Sequence, residues 1–408
     1  MTRMQQIFDK INYEIGTAQT ICGMAERGGR APFAEEVTVL LNDWSHRILK
    51  APESRSYPDV VTFAFWIRKA NVAEMRGRFV DERSIARGRG VAFHIAPSNV
   101  AVNYAYSLAA GLLTGNANIV RVPSKDFPQI RLLNRTLSET LEEYRAWQEE
   151  ICLVRYGHDQ AVNDALSQLA DTRIIWGGDV TIREIRKSPL KARAFDVCFA
   201  DRYSLAVVDV WSYLHCEDKE KAALDFYNDT YLTDQNACTS PRMVVWYAHG
   251  ASAQEQAEAA ELFWRHLWEQ VEQKYAIRPI QAVNKLTTAY LAAAGHEEWR
   301  PVRADTAADN RLVRIAVSKL DGHLMDYREN SGFFYEYVCD DLRELLPVSG
   351  SRCQTIGYLG DPGMFDTLLS ERFSGIDRIV PIGRTMDFDL IWDGYHLYEM
   401  LTRKVIVR

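Results

Sequence analysis

The chain has 408 residues, of which 47% are apolar and 25% are charged, and its formal net charge is −7 at pH 7. This length is enough for two or three domains, each with its own core. Lysine and arginine are interspersed with acids, which argues against a nucleic-acid partner, because nucleic-acid-binding proteins concentrate basic charge on one face. No apolar run approaches the roughly 18 residues of a membrane-spanning helix, and the N-terminus does not resemble a signal peptide. We therefore expect a cytoplasmic protein with no membrane partner.

The cysteines and histidines do not form a recognisable metal or disulfide pattern. The seven cysteines are Cys22, Cys152, Cys198, Cys216, Cys238, Cys339 and Cys353. Their odd number, wide spacing and lack of a C-x-x-C pair argue against a disulfide framework and a thiolate zinc site. The nine histidines are scattered, so no metal site is expected.

The first half of the chain predicts an alternating α/β arrangement. Residues 1–60 are predicted to be helical, because isoleucines recur there at roughly helical spacing. The strands predicted beyond them cover 90–95, 117–122, 151–156, 173–176 and 205–210. The helices predicted between them cover 101–114, a stretch from Ile130 to Leu141, 159–170 and a short segment after Gly178. Such alternation indicates a parallel sheet covered on both faces, with ligands at the carboxyl ends of its strands.

A second unit is predicted after residue 210. It contains a strand over 243–247 and a helix that Ser252 opens with a capping box. The turn-rich stretch around 295–310 is predicted to be a surface excursion. A terminal strand is predicted over 404–408, and its exposed edge needs a partner, which indicates a homo-oligomer. The predicted domains are 1–210, 211–385 and a returning segment, 386–408.

The first segment that can carry chemistry is His-Ile-Ala-Pro-Ser-Asn-Val at 94–100. Pro97 turns the chain at the end of a predicted strand, so Ser98 and Asn99 lie at the mouth of the sheet. The Asn99 amide can donate a hydrogen bond there to an oxyanion that forms on a substrate carbonyl. The alternative is an N-cap or turn asparagine for the following helix, which the local pattern alone favours.

The second segment surrounds Arg121, at the end of a predicted strand, with Ser124 and Lys125 just beyond it. These residue types can hold an adenosine ribose and its phosphate. Taken alone, they are equally typical of an ordinary strand end with solvated charges.

The third segment is Trp-Gly-Gly-Asp-Val-Thr at 176–181, between a predicted strand and a helix. Gly177 and Gly178 let the backbone approach a pyrophosphate, and Thr181 follows in the helix, whose N-terminus favours negative charge. The spacing is not the G-x-G-x-x-G of the common dinucleotide fingerprint, and a Gly-Gly turn needs no ligand.

The fourth segment is Thr-Asp-Gln-Asn-Ala-Cys-Thr-Ser-Pro at 233–241. Its small and polar neighbours make Cys238 more accessible than a cysteine in an apolar run. If a helix begins here, its amides would lower the thiol pKa, and the Cys238 N–H would hold an oxyanion. A buried free thiol is the alternative.

Taken in this order and at this spacing, the four segments resemble the aldehyde dehydrogenase superfamily. Their amino-acid strings are most similar to those of LuxC-type acyl-CoA reductases. The similar strings lie at 93–100, 107–118, 173–178, 228–242, 354–358 and 392–394. The resemblance covers roughly residues 85–405. It implies an α/β, aldehyde-dehydrogenase-like fold with two doubly wound sheets, one in an NAD(P)-binding domain and one in a catalytic domain, after an N-terminal helical segment.

The resemblance also implies residue roles. Cys238 would be the nucleophile, and Asn99 and the Cys238 N–H would form the oxyanion hole. Arg121, Ser124 and Lys125 would lie by the adenosine ribose. The full set of implied cofactor contacts is Ser98, Arg121, Ser124, Lys125, Gly177, Gly178, Thr181 and Glu336. Glu336, assigned to the nicotinamide ribose, stands in a string that matches the family poorly.

Two departures from the hydrolytic aldehyde dehydrogenases bear on the reaction. Those enzymes carry a Glu-Leu-Gly-Gly string whose glutamate activates water, whereas the stretch here, 199–205, has no glutamate. Asp201 is a poor substitute because it is shorter and adjoins Arg202. NAD-preferring relatives place an acid at the ribose position, where this chain has Ser124 and Lys125, which favours NADPH, with NADH as the alternative.

The expected activity is therefore NADPH-dependent reduction of an acyl-CoA or acyl-carrier thioester to an aldehyde through an acyl-cysteine. An NAD(P)-dependent aldehyde dehydrogenase with Asp201 as its base, or a non-catalytic subunit of the same fold, are the alternatives. The resemblance leaves open an acyl-activating or acyl-transferring partner enzyme, and acyl phosphate in place of CoA.

Overall fold

The computed structural model describes residues 3–81, 83–296, 299–301 and 309–407. Its strands are β1 (Asn12–Ile15), β2 (Ile85–Gly88), β3 (Val91–Ile95), β4 (Ala117–Arg121), β5 (Ile151–Arg155), β6 (Thr172–Trp176), β7 (Phe195–Phe199), β8 (Tyr203–Asp209), β9 (Pro241–Tyr247), β10 (Arg300–Pro301), β11 (Val313–Ala316), β12 (Phe333–Cys339), β13 (Cys353–Leu359), β14 (Arg378–Pro381), β15 (Ile391–Trp392), β16 (Tyr395–His396) and β17 (Thr402–Val405).

The α-helices are α1 (Arg3–Phe8), α2 (Ala18–Met24), α3 (Glu35–Lys50), α4 (Pro58–Trp66), α5 (Lys69–Phe79), α6 (Asn103–Leu113), α7 (Pro128–Glu143), α8 (Gln160–Leu169), α9 (Asp179–Ile185), α10 (Val210–Leu214), α11 (Lys219–Thr230), α12 (Ala253–Lys274), α13 (Pro279–Gly295), α14 (Asp366–Leu369) and α15 (Leu397–Leu401). Short 3-10 helices cover Pro52–Ser56, Arg145–Trp147, Tyr231–Thr233, Leu324–Tyr327, Leu342–Val348 and Pro362–Phe365. No helix among the described residues is long and apolar enough to cross a membrane.

The chain divides into two compact units. The first contains residues up to Ala200 and from Phe388 onward, and the second contains Asp201–Asp387. The first boundary was expected after residue 210 and lies after residue 200, a difference of ten residues. The second was expected after residue 385 and lies after residue 387. The predicted strand over 205–210 corresponds to β8, which belongs to the second sheet and not to the first, because the unpredicted strand β7 forms the edge of the first sheet.

The first unit contains a six-stranded sheet in the order β1-β5-β4-β3-β6-β7, parallel except for β1. Alternate side chains of its strands enter two separate cores, one on each face. On β3, for example, Ala92 faces the core shared with α3–α7, and Phe93 faces the core shared with α1, α2, α8 and α9. This two-sided burial explains why the strands appear in the sequence as continuous apolar runs.

The N-terminal segment is not entirely helical, contrary to expectation. Strand β1 interrupts it and pairs antiparallel with β5 at the edge of the sheet. Four residues are too few for hydrophobic periodicity to reveal, and Ile15, one of the isoleucines that suggested a helix, lies in this strand.

The second unit contains a seven-stranded sheet in the order β10-β11-β12-β9-β8-β13-β14, parallel except for β10. Ser252 caps α12 with Glu255 in a complete capping box, as predicted. In the predicted surface excursion at 295–310, residues 297–298 and 302–308 lie outside the described residues.

The C-terminal strand finds a partner inside its own chain. β17 pairs antiparallel with β2, from Thr402 opposite Gly88 to Val405 opposite Ile85. The strand begins at residue 402, where 404 was predicted, and ends at residue 405, where 408 was predicted. Residue 408 lies outside the described part. Homo-oligomer formation stays a prediction.

Candidate active-site residues

Cys238 lies in a turn between the 3-10 helix Tyr231–Thr233 and strand β9, at the amino end of that strand. Its side chain is partly buried. The alternative of a cysteine sealed in the core therefore does not hold. The conditional expectation that a helix begins at Cys238 is wrong, because the residues that follow form β9. No helix amides are thus supplied to the thiol by its own segment.

The fully buried side chain of Gln235 holds this turn in place. Gln235 and its neighbour Asp234 have φ angles of 57° and 55°, which non-glycine residues keep only when their surroundings hold them. Gln235 Nε2 donates to the carbonyls of Pro241 at 2.9 Å and Phe333 at 3.1 Å. Gln235 Oε1 accepts from the N–H groups of Gly332 at 2.9 Å and Phe333 at 3.1 Å. One side chain thus ties the turn to the first residues of β9 and β12.

Asp234 anchors the same turn to helix α13 and to the end of α12. Its carboxylate accepts from the Tyr275 hydroxyl, from Gln281 Nε2 and from Ser331 Oγ, the last at 2.9 Å. Lys285 on α13 donates to the Ser331 carbonyl at 2.6 Å, and burial lowers the pKa of this lysine to about 8. The left-handed backbone at Asp234 is therefore supported by several hydrogen bonds.

The backbone of the cysteine itself is also held. Ser204 Oγ donates to the Cys238 carbonyl at 2.7 Å and accepts from the Thr355 N–H at 3.2 Å. Thr239 Oγ1 lies 3.1 Å from Met386 Sδ. These contacts connect the cysteine turn to β8, to β13 and to the segment that ends the second unit.

Arg242 is a buried cation close to the cysteine. Its Nη1 donates to the Glu329 carbonyl at 2.8 Å and to Asn330 Oδ1, while its Nε is buried without a hydrogen-bond partner. Burial and the neighbouring Arg328 lower the pKa of Arg242 to about 10, against the raising effect of Glu329 and Cys238. The guanidinium is therefore charged at neutral pH and within electrostatic range of the sulfur.

In the first unit, Ser98 and Asn99 lie exposed on the turn that follows β3. Helix α6 begins at Asn103, and its N-cap is Val102, without a side-chain cap. The alternative interpretation of Asn99 as the N-cap of this helix is therefore wrong. An exposed asparagine at the carboxyl end of a parallel strand is in the usual position of a ligand-binding residue.

A buried polar network lies beneath this turn and was not foreseen from the sequence. His94 is fully buried, with Nε2 at 2.9 Å from Asn118 Oδ1 and Nδ1 at 2.7 Å from Ser107 Oγ. Trp176 Nε1 also donates to Ser107 Oγ, at 3.1 Å. A Cβ on Gly111 would lie 1.9 Å from Asn118 Oδ1, so only glycine fits there. The network joins the ends of β3 and β6, the strands that carry Asn99 and Gly177.

Arg121 is the last residue of β4, and Ser124 and Lys125 follow it in the next turn. The Arg121 guanidinium rests over the Tyr156 ring at 4.5 Å and donates to the Tyr156 carbonyl at 3.2 Å. Ser124 and Lys125 are exposed, and Lys125 Nζ lies 4.7 Å from the centre of the Phe127 ring. The segment at this strand end thus carries two cations, Arg121 and Lys125, and an exposed serine.

Gly177 and Gly178 follow β6, and Gly178 is the N-cap of α9. A Cβ at Gly177 would lie 3.1 Å from Thr181 Cγ2, whereas nothing lies within 4 Å of a Cβ at Gly178. The first glycine is thus needed for packing within the turn, and Gly178 and Thr181 are exposed. Asp179 follows in the first turn of this short helix and adds a negative charge there.

Glu336, assigned by resemblance to the nicotinamide ribose, has a different environment from the one expected. It is buried in β12, and its carboxylate accepts from Arg314 Nε at 2.6 Å, Trp246 Nε1 at 3.1 Å and Trp264 Nε1 at 2.7 Å. These donors bind both carboxylate oxygens inside the unit. The structure gives Glu336 an internal role, and we do not retain it as a ribose contact.

Asp201, the base of the alternative hydrolytic reaction, is bound by two arginines. Its Oδ2 accepts from Arg328 Nη2 and, at 3.3 Å, from Arg352 Nη2. This oxygen is therefore already occupied by two guanidinium groups.

A family model described as acyl-CoA reductase (LuxC) matches residues 78–290, which is more than half of the chain. The chain belongs to the LuxC acyl-CoA reductase family. It is accordingly an oxidoreductase that acts on aldehydes or acyl-CoA. The match includes the turns that carry Asn99 and Cys238. A sequence search of curated proteins finds no match.

Solved structures similar to this LuxC-family chain include aldehyde dehydrogenases. An NAD-dependent benzaldehyde dehydrogenase from Corynebacterium glutamicum has a TM-score of 0.61 at 14% identity, covering 97% of this chain and 94% of its own. An NADP-dependent glyceraldehyde-3-phosphate dehydrogenase from Bacillus halodurans, complexed with NADP, has a TM-score of 0.61 at 15% identity, with coverages of 95% and 89%. An NADP-dependent Escherichia coli enzyme has a TM-score of 0.64 at 13% identity, with coverages of 95% and 88%. At these identities the matches confirm the aldehyde-dehydrogenase-like fold.

Three residues of this LuxC-family chain that support the candidate site were not predicted from the sequence. Gln235 and Arg242 flank the cysteine but look like ordinary polar residues, because their roles depend on Phe333 and Glu329, nearly a hundred residues away. His94 was taken as part of an apolar strand. A polar residue inside an otherwise apolar run is the signal that could have identified it.

Proposed function

We infer that this protein reduces an acyl thioester to the aldehyde through a covalent acyl-Cys238 intermediate, with NADPH as the hydride donor. The observation that carries the proposal is the partly buried Cys238 on a turn whose backbone is fixed by Gln235 and Ser204. A nucleophile must approach a carbonyl carbon in a defined direction, so a rigid turn favours this role.

In the proposed reaction, the Cys238 thiolate attacks the thioester carbonyl. The oxyanion accepts hydrogen bonds from the Cys238 N–H and, by resemblance, from the Asn99 amide. Collapse of this adduct expels the carrier thiolate, which takes up a proton, and leaves the acyl group on sulfur. NADPH, held by residues such as Arg121, Ser124, Lys125 and Gly178, would supply the hydride that reduces the acyl carbon. The resulting thiohemiacetal releases the aldehyde and regenerates the thiolate of Cys238.

A positive charge near the Cys238 sulfur supports the role of this residue as the nucleophile. Arg242 is buried, is charged at neutral pH, and interacts electrostatically with Cys238. A nearby cation favours the thiolate over the thiol, and the thiolate is the nucleophile. The guanidinium is therefore a source of thiolate stabilisation that does not require a helix to begin at Cys238.

The surroundings of Asp201 favour reduction over hydrolysis of the acyl-enzyme. A general base must reach a water molecule with a free lone pair. Oδ2 of Asp201 is instead bound by Arg328 and Arg352. Two guanidinium groups on Asp201 make it a weaker base toward water, which favours an acyl-enzyme that persists long enough to be reduced.

The residues beyond β4 fit a nicotinamide cofactor that carries a 2′-phosphate. Arg121 at the end of β4 and the exposed Lys125 supply two cations in the same short segment as the exposed Ser124. The adjacent Asp126 is paired with Arg131 on α7, which offsets its charge. Cations held at a strand end stabilise a phosphate dianion, and they would contribute little to the neutral ribose hydroxyls of NADH.

A panel of acyl-CoA substrates tests the function, with NADPH oxidation and aldehyde formation measured together. We expect one aldehyde released for each NADPH oxidised. Incubation with aldehyde and oxidised cofactor, with and without CoA, tests the reverse direction. Acid formed without CoA, at a rate comparable to the CoA-dependent reaction, would contradict the proposal and support an aldehyde dehydrogenase.

A further inference from the structure

The N-terminal strand β1 presents an acidic side chain, Glu14, to Arg155 at the end of β5. Its register with β5 shifts between Tyr13 and Ile15, which leaves Glu14 as the extra residue of a β-bulge. A bulge changes the direction of a side chain relative to the regular pleat, and bulges are frequent beside functional sites. Gly16 follows with a φ of 84°, where a Cβ would lie 2.9 Å from Cys152 Sγ. The local geometry of β1 is therefore tightly constrained.

The Glu14 carboxylate binds the arginine that holds the turn beyond β4. Glu14 Oε1 accepts from Arg155 Nε at 2.6 Å, at the end of β5. Arg155 Nη1 in turn donates to the carbonyl of Pro123, the residue directly before Ser124. One planar guanidinium thus links the bulge of β1 to the turn that carries Ser124 and Lys125. A lysine could not form both bonds with the same geometry, because it lacks the planar fork of donors.

The second carboxylate oxygen is connected to the interior of the unit. Asn134 Nδ2 on α7 lies 3.4 Å from Glu14 Oε2, and the buried Tyr104 hydroxyl donates to Asn134 Oδ1 at 2.6 Å. Glu14 is therefore positioned from two sides, by β5 and by α7. Its negative charge is directed at Arg155.

We propose that Glu14 and Arg155 are positioning residues for the adenosine 2′-phosphate, so that the N-terminal strand sets the preference for NADPH over NADH. This inference rests on the proposed function. The pair holds the Pro123 carbonyl and thereby fixes Ser124 and Lys125 in the arrangement that binds a phosphate. Loss of the pair frees the turn, which weakens binding of the 2′-phosphate and leaves the rest of the cofactor site intact.

The test compares Glu14→Gln and Arg155→Lys with the wild type and with Glu53→Gln. The control removes an N-terminal glutamate that pairs with Arg135 on α7 and has no contact with the turn. Binding of adenosine 2′,5′-bisphosphate and of NADH is measured by calorimetry on the full-length protein. We expect both variants to bind the bisphosphate about tenfold more weakly, a loss typical of a hydrogen-bonded charged contact, with NADH binding unchanged. The control should match the wild type.

The possible results separate the two proposals. Wild-type protein that does not bind the bisphosphate would contradict the proposed NADPH preference itself. Bisphosphate binding that is unchanged in both variants would overturn the role of the pair, as would equal losses for the bisphosphate and NADH, because a purely structural role weakens both ligands alike. If Glu14→Gln does not fold, Arg155→Lys, which keeps the positive charge, decides the question. The quantity compared is again the loss of bisphosphate affinity relative to the loss of NADH affinity.

Discussion

The side-chain amide of Gln235 pairs with the backbone of Phe333 in the manner of a neighbouring strand. It donates to the Phe333 carbonyl and accepts from the Phe333 N–H, both at 3.1 Å. Strand β11 already pairs with β12 at Phe333, whereas the pairing of β12 with β9 begins two residues later, at Tyr335. A carboxylate of the same shape as the Gln235 amide could not donate to the Phe333 and Pro241 carbonyls.

We expect Gln235→Glu to destabilise the second unit by about 3 kcal/mol and to reduce kcat strongly. The carboxylate would face two carbonyl oxygens without a proton to donate, which leaves buried acceptors unsatisfied. Urea unfolding and steady-state kinetics measure the two effects. The same substitution at the exposed Gln273 is the control and should change neither. A fully active Gln235→Glu enzyme would show that this amide does not position the cysteine.

Cys238→Ala should abolish both acylation and reduction, because no other group is proposed to form the thioester. Mass spectrometry after mixing with acyl-CoA measures acylation, and NADPH oxidation measures reduction. Cys22→Ala removes an exposed thiol and is the matched control. Covalent acyl transfer retained by Cys238→Ala at near wild-type rate would refute the assignment.

Asn99→Ala should reduce kcat by about two to three orders of magnitude, as the loss of an oxyanion donor does in other enzymes. Because Asn99 is exposed on the turn after β3, its loss should not disturb folding. Cofactor affinity, measured separately, should remain unchanged. A parallel loss of cofactor affinity would instead assign Asn99 to the nucleotide.

Removal of the cation at Arg242 should make Cys238 less reactive at neutral pH. The guanidinium favours the thiolate, so its loss moves the pH midpoint of Cys238 alkylation upward. Iodoacetamide labelling followed by peptide mass spectrometry measures this midpoint. Arg242→Met should show the shift, and Arg242→Lys, which retains the charge, should show little of it. Identical midpoints in wild type and Arg242→Met would exclude electrostatic activation.

His94 should make the first unit acid-sensitive. Burial lowers the pKa of His94 to about 4, from an ordinary value of 6.5, against the opposing hydrogen bond of Asn118. Between these values the unfolded chain binds a proton that the folded chain does not, so stability is lost as the pH falls from 6.5 to 4. The loss is about 1.4 kcal/mol per pH unit, or about 3 kcal/mol in total. Urea unfolding at pH 7 and pH 4 should show it in the wild type and not in His94→Gln. An equal pH dependence in both proteins would contradict this prediction.

The strands of the first sheet were predictable because residues buried on both faces form apolar runs bounded by turn residues. Strand β7 was missed because Asp196 and Cys198 make its pattern alternate, and β8 was then assigned to the wrong sheet. Hydrophobic pattern gives the type of an element, whereas sheet membership depends on tertiary contacts.

For the candidate site, strings around Asn99 and Cys238 were visible in the sequence. The supporting hydrogen bonds of Gln235 and Glu14 were not, because their partners are distant along the chain.

The pairing of β17 with β2 has a consequence for biosynthesis. The first unit takes part of its apolar interior from Leu390, Leu397 and Leu401, near the end of the chain. A ribosome therefore releases the contiguous second unit before the first has all of its core residues. Until residues 388–401 have been synthesised, the first unit lacks part of its core, and in that interval it is most exposed to chaperones and proteases.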